Sequence, residues 1–322
     1  MHEAPPPSAG DSAAGEFERL PPRPPQRRAA HRQWLSILGI GLPLWVLAVV
    51  VTFATANTTL LPTVILLGSF LVPVTFVVWA YGHGHAEDVG VELLFHGFVV
   101  GGVLGVAGAS LLETYLLNPS PWIYVGVGLI EEGVKALALV WVARRMTRRT
   151  VRDGLVLGAT VGFGFAALES AGYAMNAMFT RQGLSLSALV ETEILRGLLT
   201  PVGHGLWTAI IGGLLFAAWG DRRLPRVTGG VIVGYLGVAL LHALWDSMHG
   251  LAIVATLLLT GEPWQYLLLR VGRLPGATPG QQHLITFLDW GGLILISVIA
   301  LAWLRALVVG DRVRRKGAAA AT

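Results

Sequence analysis

The segment PWIYVGVGLIEEGVKALALVW, residues 121–141, has the length of a membrane-spanning helix but carries three ionisable residues near its middle. Glu131, Glu132 and Lys135 each cost roughly 2.5–3.5 kcal/mol at the centre of such a helix, about 9 kcal/mol together, and about a dozen apolar neighbours return only about 6 kcal/mol. The segment therefore predicts a span whose charged face meets polar partners inside a bundle rather than lipid.

The composition of the whole chain indicates a membrane protein. Of its 322 residues, 54% are hydrophobic and only 13% are charged, whereas a soluble domain has about 25% charged residues. The absence of cysteine excludes disulfides, thiolate metal sites and a cysteine nucleophile. The basic residues do not form a patch interleaved with aromatic residues, so we expect no nucleic-acid partner.

Apolar runs of spanning length predict an all-α polytopic bundle of about eight transmembrane helices. Residues 249–283 contain one apolar run too short to span and a Gly/Pro-rich segment, and we expect an external or re-entrant excursion there. The predicted spans are 34–56, 60–81, 92–112, 121–142, 154–178, 195–219, 228–248 and 284–308.

Arginine-rich segments set the expected orientation. Five arginines precede the first span, between Arg19 and Arg32, and the loops after the fourth and sixth spans are also rich in arginine. We therefore expect a multi-pass protein of the cell membrane with a cytoplasmic amino terminus. Residues 1–33 should be a disordered Pro/Arg-rich region, residues 34–309 the bundle, with its functional spans at about 121–248, and residues 310–322 a basic cytoplasmic tail.

Partners for the three charged residues occur in the next three spans. Phe165 and Glu169 share one helix face at i, i+4, as do His242 and Asp246, and the sixth span carries Arg196 and His204. At about 1.5 Å per residue, the two adjacent glutamates, Glu169 and His204 lie roughly 13–18 Å below the outer surface, His242 about 9 Å below it, and Asp246 near the interface. Convergence of acids and imidazoles at one depth predicts a functional site.

Each of these residues also has a structural interpretation. Glu131, Glu132 and Lys135 could form an internal ion pair, but one lysine does not satisfy two glutamates, which leaves a carboxylate for acid–base chemistry. Glu169 and His204 could be hydrogen-bonded interior residues, and His242 with Asp246 a simple imidazole–carboxylate pair. Arg196 could be a snorkelling anchor at the interface.

Four motifs in order, each in its own span, resemble those of the PrsW family of intramembrane proteases, which is similar to the wider superfamily of CAAX prenyl-protein proteases. The motifs are EEGVK (131–135), FAALE (165–169), VGHG (202–205) and HALWD (242–246). The resemblance covers roughly residues 60–250.

The resemblance implies hydrolysis of peptide bonds within or beside the membrane, with single-span membrane proteins such as anti-sigma factors as substrates. Carried over by motif, Glu131 and Glu132 match the catalytic glutamate pair, and Glu169 matches the acid of the next span. His204 matches the third-span histidine, and His242 with Asp246 matches the last motif. Lys135, Phe165 and Arg196 are expected to support them.

Two chemistries remain open. In one, which we favour, Glu131 or Glu132 activates water without a cofactor, and His204 or His242 assists. In the other, His204, His242 and Asp246 hold a divalent metal such as zinc, although Lys135 disfavours a nearby cation. The alternatives from other classes are a proton-coupled transporter or channel, a scaffold protein and a prenyl-protein protease.

Overall fold

The computed structural model describes residues 26–83, 86, 88–222 and 224–320. Within them the chain is almost entirely helical. The only sheet among these residues is an antiparallel hairpin of two two-residue strands, Phe179–Thr180 and Gly183–Leu184. The predicted all-α fold is therefore confirmed. The helices are α1 Gln26–Thr55, α2 Leu61–His83, α3 Val91–Val99, α4 Gly105–Leu116, α5 Ile123–Ala143, α6 Val151–Met178, α7 Leu186–Leu199, α8 His204–Trp219, α9 Gly229–Thr260, α10 Pro263–Arg270 and α11 Pro279–Ala320.

Eight helical runs account for the predicted spans. Among the described residues, seven runs are long and apolar enough to cross a membrane. In one of them α3 continues into α4 through a π-helical turn, and in another α7 continues into α8 through a 3-10 turn. The eighth run is α5, whose 21 residues extend about 31 Å but whose three charges lower its hydropathy.

The ends of the chain differ from the predicted boundaries. The prediction of disorder for residues 1–25 lies outside the described residues, and α1 begins at Gln26 rather than at Trp34. At the other end α11 continues through the basic segment to Ala320.

The prediction for residues 249–283 is wrong in its first third. The apolar run after Gly250 stays helical, so α9 continues for twelve more residues, to Thr260, before Gly261 and Pro263. The connection to α11 is ordered by two buried amides, because Gln265 and Gln281 donate to each other's side-chain oxygens at 2.8 and 2.9 Å. Asp289, near the start of α11, lies 3.0 Å from His249 of α9.

A ladder of glycines joins α6 to α8 at the centre of the bundle. Three glycines of α6, spaced four residues apart, lie directly on carbonyl oxygens of α8 that are also spaced four residues apart, so a Cβ atom at any of them would overlap main chain. Small residues at this spacing let two helices approach closely within a membrane. The pairs are Gly154 with Gly212, Gly158 with Thr208, and Gly162 with His204.

Candidate active site

The buried ammonium of Lys135 is the centre of a polar cluster. Its Nζ lies 3.0 Å from Glu131 Oε2, 2.8 Å from Glu132 Oε1 and 2.7 Å from His204 Nδ1, so all three of its protons have an acceptor. The Phe165 ring covers it, with a centroid 4.0 Å from Nζ. The ion pair that the sequence analysis gave as the structural alternative is thus present, with one lysine contacting both glutamates, and α6 and α8 complete its surroundings.

His204 owes its position to a break in the predicted sixth span. Residues Thr200–Val202 form a 3-10 turn, and α8 begins at His204 itself. The Nδ1 atom of His204 accepts from Lys135, because an ammonium can only donate. The proton of the ring is therefore on Nε2, which donates to Glu169 Oε2 at 3.0 Å.

Arg196 contacts the acid of the cluster. Its Nη2 donates to Glu169 Oε2, and its Nε donates to Ser170 Oγ at 2.8 Å. The guanidinium also lies 4.3 Å from the centre of the Tyr173 ring. Glu169 is therefore neutralised by Arg196 and holds the His204 ring at the same time.

His242 contacts both glutamates of α5, contrary to the shallow depth predicted for it. Its Nδ1 lies 3.0 Å from Glu132 Oε1, and its Nε2 lies 3.3 Å from Asp246 Oδ2 and 3.7 Å from Glu131 Oε2. The depth was counted from residue 248, whereas α9 continues twelve residues further, to Thr260. Asp246, one turn along α9 from His242, is therefore within the site.

Two neighbours of the site were missed by the sequence analysis. Trp207 is fully buried, and its ring centroid lies 4.8 Å from that of His242 and 5.4 Å from that of His204. Its place one helical turn after His204, in HGLW, is a signal that could have identified it. Glu113 lies one residue beyond the predicted third span, 92–112, and so was not considered, whereas α4 ends at Leu116.

A cavity of about 230 Å³ opens onto the cluster between α4, α5 and α6. Glu131 reaches it with 8% of its side chain exposed, whereas the Glu132 side chain is 0% exposed and does not line it. The two adjacent glutamates therefore have different environments. The lining residues are Val106, Ala109, Ser110, Glu113, Glu131, Phe165, Leu168, Glu169, Gly172, Tyr173 and Asn176.

Three residues of the cluster could bind a metal ion. Glu131, His204 and His242 each offer one ligand atom, and these atoms lie within 4.8 Å of one another. Of the donors predicted from sequence, the two histidines are in this group, and Glu131 stands in place of Asp246.

Comparison with known proteins agrees with the geometry. A family model described as "PrsW family intramembrane metalloprotease" matches residues 89–271. The match begins with the third predicted span and ends just after α10, later along the chain than the resemblance drawn from the motifs alone. No curated protein and no solved structure matches the chain.

Proposed function

This chain belongs to the PrsW family of intramembrane proteases and is an integral, multi-pass membrane peptidase; we propose that it cuts membrane-anchored proteins at the cavity beside Glu131. With a cytoplasmic amino terminus, as the arginine-rich loops favour, this cavity lies in the outer half of the bilayer. Suitable substrates are single-span membrane proteins, anti-sigma factors among them.

The observation that carries this proposal is the exposure of Glu131 in the cavity, next to a carboxylate that is fully buried. Water in the cavity gives a proton to Glu131 as its oxygen attacks the peptide carbonyl. The same proton passes to the amide nitrogen as the C–N bond breaks, so one carboxylate serves as base and then as acid. The products are a carboxylic acid and an amine.

His242 does not line the cavity, and its two ring nitrogens already face Glu132 and Asp246, at 3.0 and 3.3 Å. Its Nε2 lies 3.7 Å from Glu131 Oε2, beyond hydrogen-bonding distance. We therefore assign His242 to positioning the glutamate pair, with Glu132 and Asp246 orienting its ring.

A divalent metal also fits the donor set of Glu131, His204 and His242, since two imidazoles and a carboxylate are a ligand set that catalytic zinc uses. A bound metal would polarise the carbonyl and lower the pKa of its own water. Lys135 contacts two of these donors at 2.7 and 3.0 Å, so its ammonium competes with a metal for them. This competition favours the metal-free chemistry.

The test is cleavage of single-span membrane peptides by the purified protein in lipid nanodiscs. Glu131→Gln should abolish cutting, because an amide cannot accept the proton of water. Glu191→Gln, an exposed change on α7, is the matched control and should retain full activity. Unchanged cutting by a folded Glu131→Gln variant would refute the proposal. Loss of activity with a chelator, restored by zinc, would replace the metal-free chemistry by the metal-dependent one.

A further inference from the structure

The cavity has one carboxylate that lacks a cationic partner. Glu131 is paired with Lys135, and Glu169 with Arg196. Glu113 makes no ion pair among the described residues, and its Oε1 is buried without a hydrogen-bond partner there. Since Lys135 also serves Glu132, the cavity and its surroundings hold more carboxyl groups than cationic partners.

The register of α4 and α5 places Glu113 beside the reaction centre. The helices are antiparallel: a Cβ at Gly108 would lie 3.3 Å from Val134, and Leu117 packs on Gly126. Interpolating between these two contacts puts Glu113 level with residues 129–130. Its Cα is therefore within about 2 Å of the depth of Glu131, at 1.5 Å per residue.

We infer that Glu113 binds a basic side chain of the substrate, so that the preferred substrates carry lysine or arginine next to the cut bond. This inference rests on the proposed peptidase function. Charged groups within the membrane are costly alone and are found paired, so an unpaired carboxylate in the cavity and an unpaired cation on a substrate gain by meeting. Because an extended chain advances about 3.3–3.6 Å per residue, the basic residue should lie within about two positions of the scissile bond.

The experiment measures kcat/KM for a set of membrane peptides in which lysine, alanine or glutamate is placed at each of the three positions on either side of the bond. The wild-type protein should prefer lysine over alanine by about tenfold or more at one position, as expected for a hydrogen-bonded charged pair. Glu113→Gln should reduce this ratio to near one while retaining cleavage of the alanine peptide. Glu113→Lys should prefer glutamate at the same position.

The matched control is Glu92→Gln, an exposed glutamate in the first turn of α3, at the other end of the same span. It should keep the wild-type preference. Wild-type cleavage without charge preference, or an unchanged preference in Glu113→Gln, would overturn the inference and leave the peptidase proposal standing. Equal loss with all peptides in Glu113→Gln would also overturn it, because that result assigns the residue to the chemistry instead. If the wild-type protein cut no peptide, both proposals would fail.

Discussion

Replacing Lys135 by methionine tests whether its ammonium holds the site together. The side chain is fully buried and serves three acceptors on two helices. Methionine has a similar length, so the change removes the charge without opening a large cavity. Breaking a buried ion pair by removing one partner costs about 3–5 kcal/mol, because the other charge remains buried and uncompensated. We expect a loss of this size in the free energy of unfolding.

The assay is thermal unfolding of the purified protein in one detergent, with activity measured in parallel. A loss of 3–5 kcal/mol corresponds to a fall in Tm of roughly 6–20 °C by the scaling for domains of 150–250 residues. The control is Lys316→Met, because Lys316 is the other lysine of the chain and is exposed. That change should alter stability by no more than about 0.5 kcal/mol.

A second set of variants identifies the cause of the loss. Adding Glu131→Gln and Glu132→Gln to the Lys135→Met background removes the stranded carboxylates and should restore at least half of the lost stability. Equal Tm values for Lys135→Met and Lys316→Met would refute the reasoning, as would a loss that the two glutamine changes do not reduce.

Three further changes, compared by thermal unfolding, test contacts that hold the helices of the bundle together. Arg149→Lys should lower the free energy of unfolding by about 1–3 kcal/mol. The guanidinium, whose pKa is lowered by burial, donates to carbonyls at the ends of α5 and α8, and one ammonium cannot reach them all. An unchanged stability would contradict this. Trp45→Phe should lower the free energy of unfolding by about 1–3 kcal/mol, because it removes the indole N–H that donates to the buried Glu193 at 2.9 Å. If Trp45→Phe caused the same loss in a protein that already carries Glu193→Leu, this hydrogen bond would not be the cause. Gly158→Ala should lower the free energy of unfolding by about 1–3 kcal/mol, because its Cβ would overlap the main chain of α8. Gly250→Ala is the control: a Cβ there meets open space, so the change should be neutral or stabilising. Similar effects of both changes would argue against the glycine ladder.

The number of spans and most residues of the candidate site could be predicted, because a charged residue is informative when it lies within a membrane span. A helix carrying Glu131, Glu132 and Lys135 cannot face lipid, so polar residues of neighbouring spans at a similar depth had to be their partners. Glu169 and His204 were found in this way, and the structure brings both within hydrogen-bonding distance of the network.

The length of α9 and the presence of Glu113 at the cavity could not be predicted for one shared reason. Hydropathy locates an apolar run but not the length of the helix that contains it. The helix holding His242 continues to Thr260, and the helix holding Glu113 continues to Leu116. In each case the predicted span was too short at its carboxyl-terminal end, which placed a residue of the site at or beyond the end of its helix.

Main-chain packing contributes to the position of His204, in addition to its side-chain contacts with Lys135 and Glu169. Gly162 of α6 lies against the carbonyl of His204, and the other two rungs of the ladder fix the direction of α8 below it. The 3-10 turn at Thr200–Val202 then ends α7 and lets the chain enter α8 at this residue. In a continuous helix through residues 195–219, Arg196 and His204 would lie along a single helix axis. Because the chain breaks at Thr200–Val202, Arg196 reaches Glu169 from α7 and His204 reaches the same carboxylate from α8. The guanidinium and the imidazole thus meet one carboxylate, and this arrangement depends on both the break and the three glycines of α6.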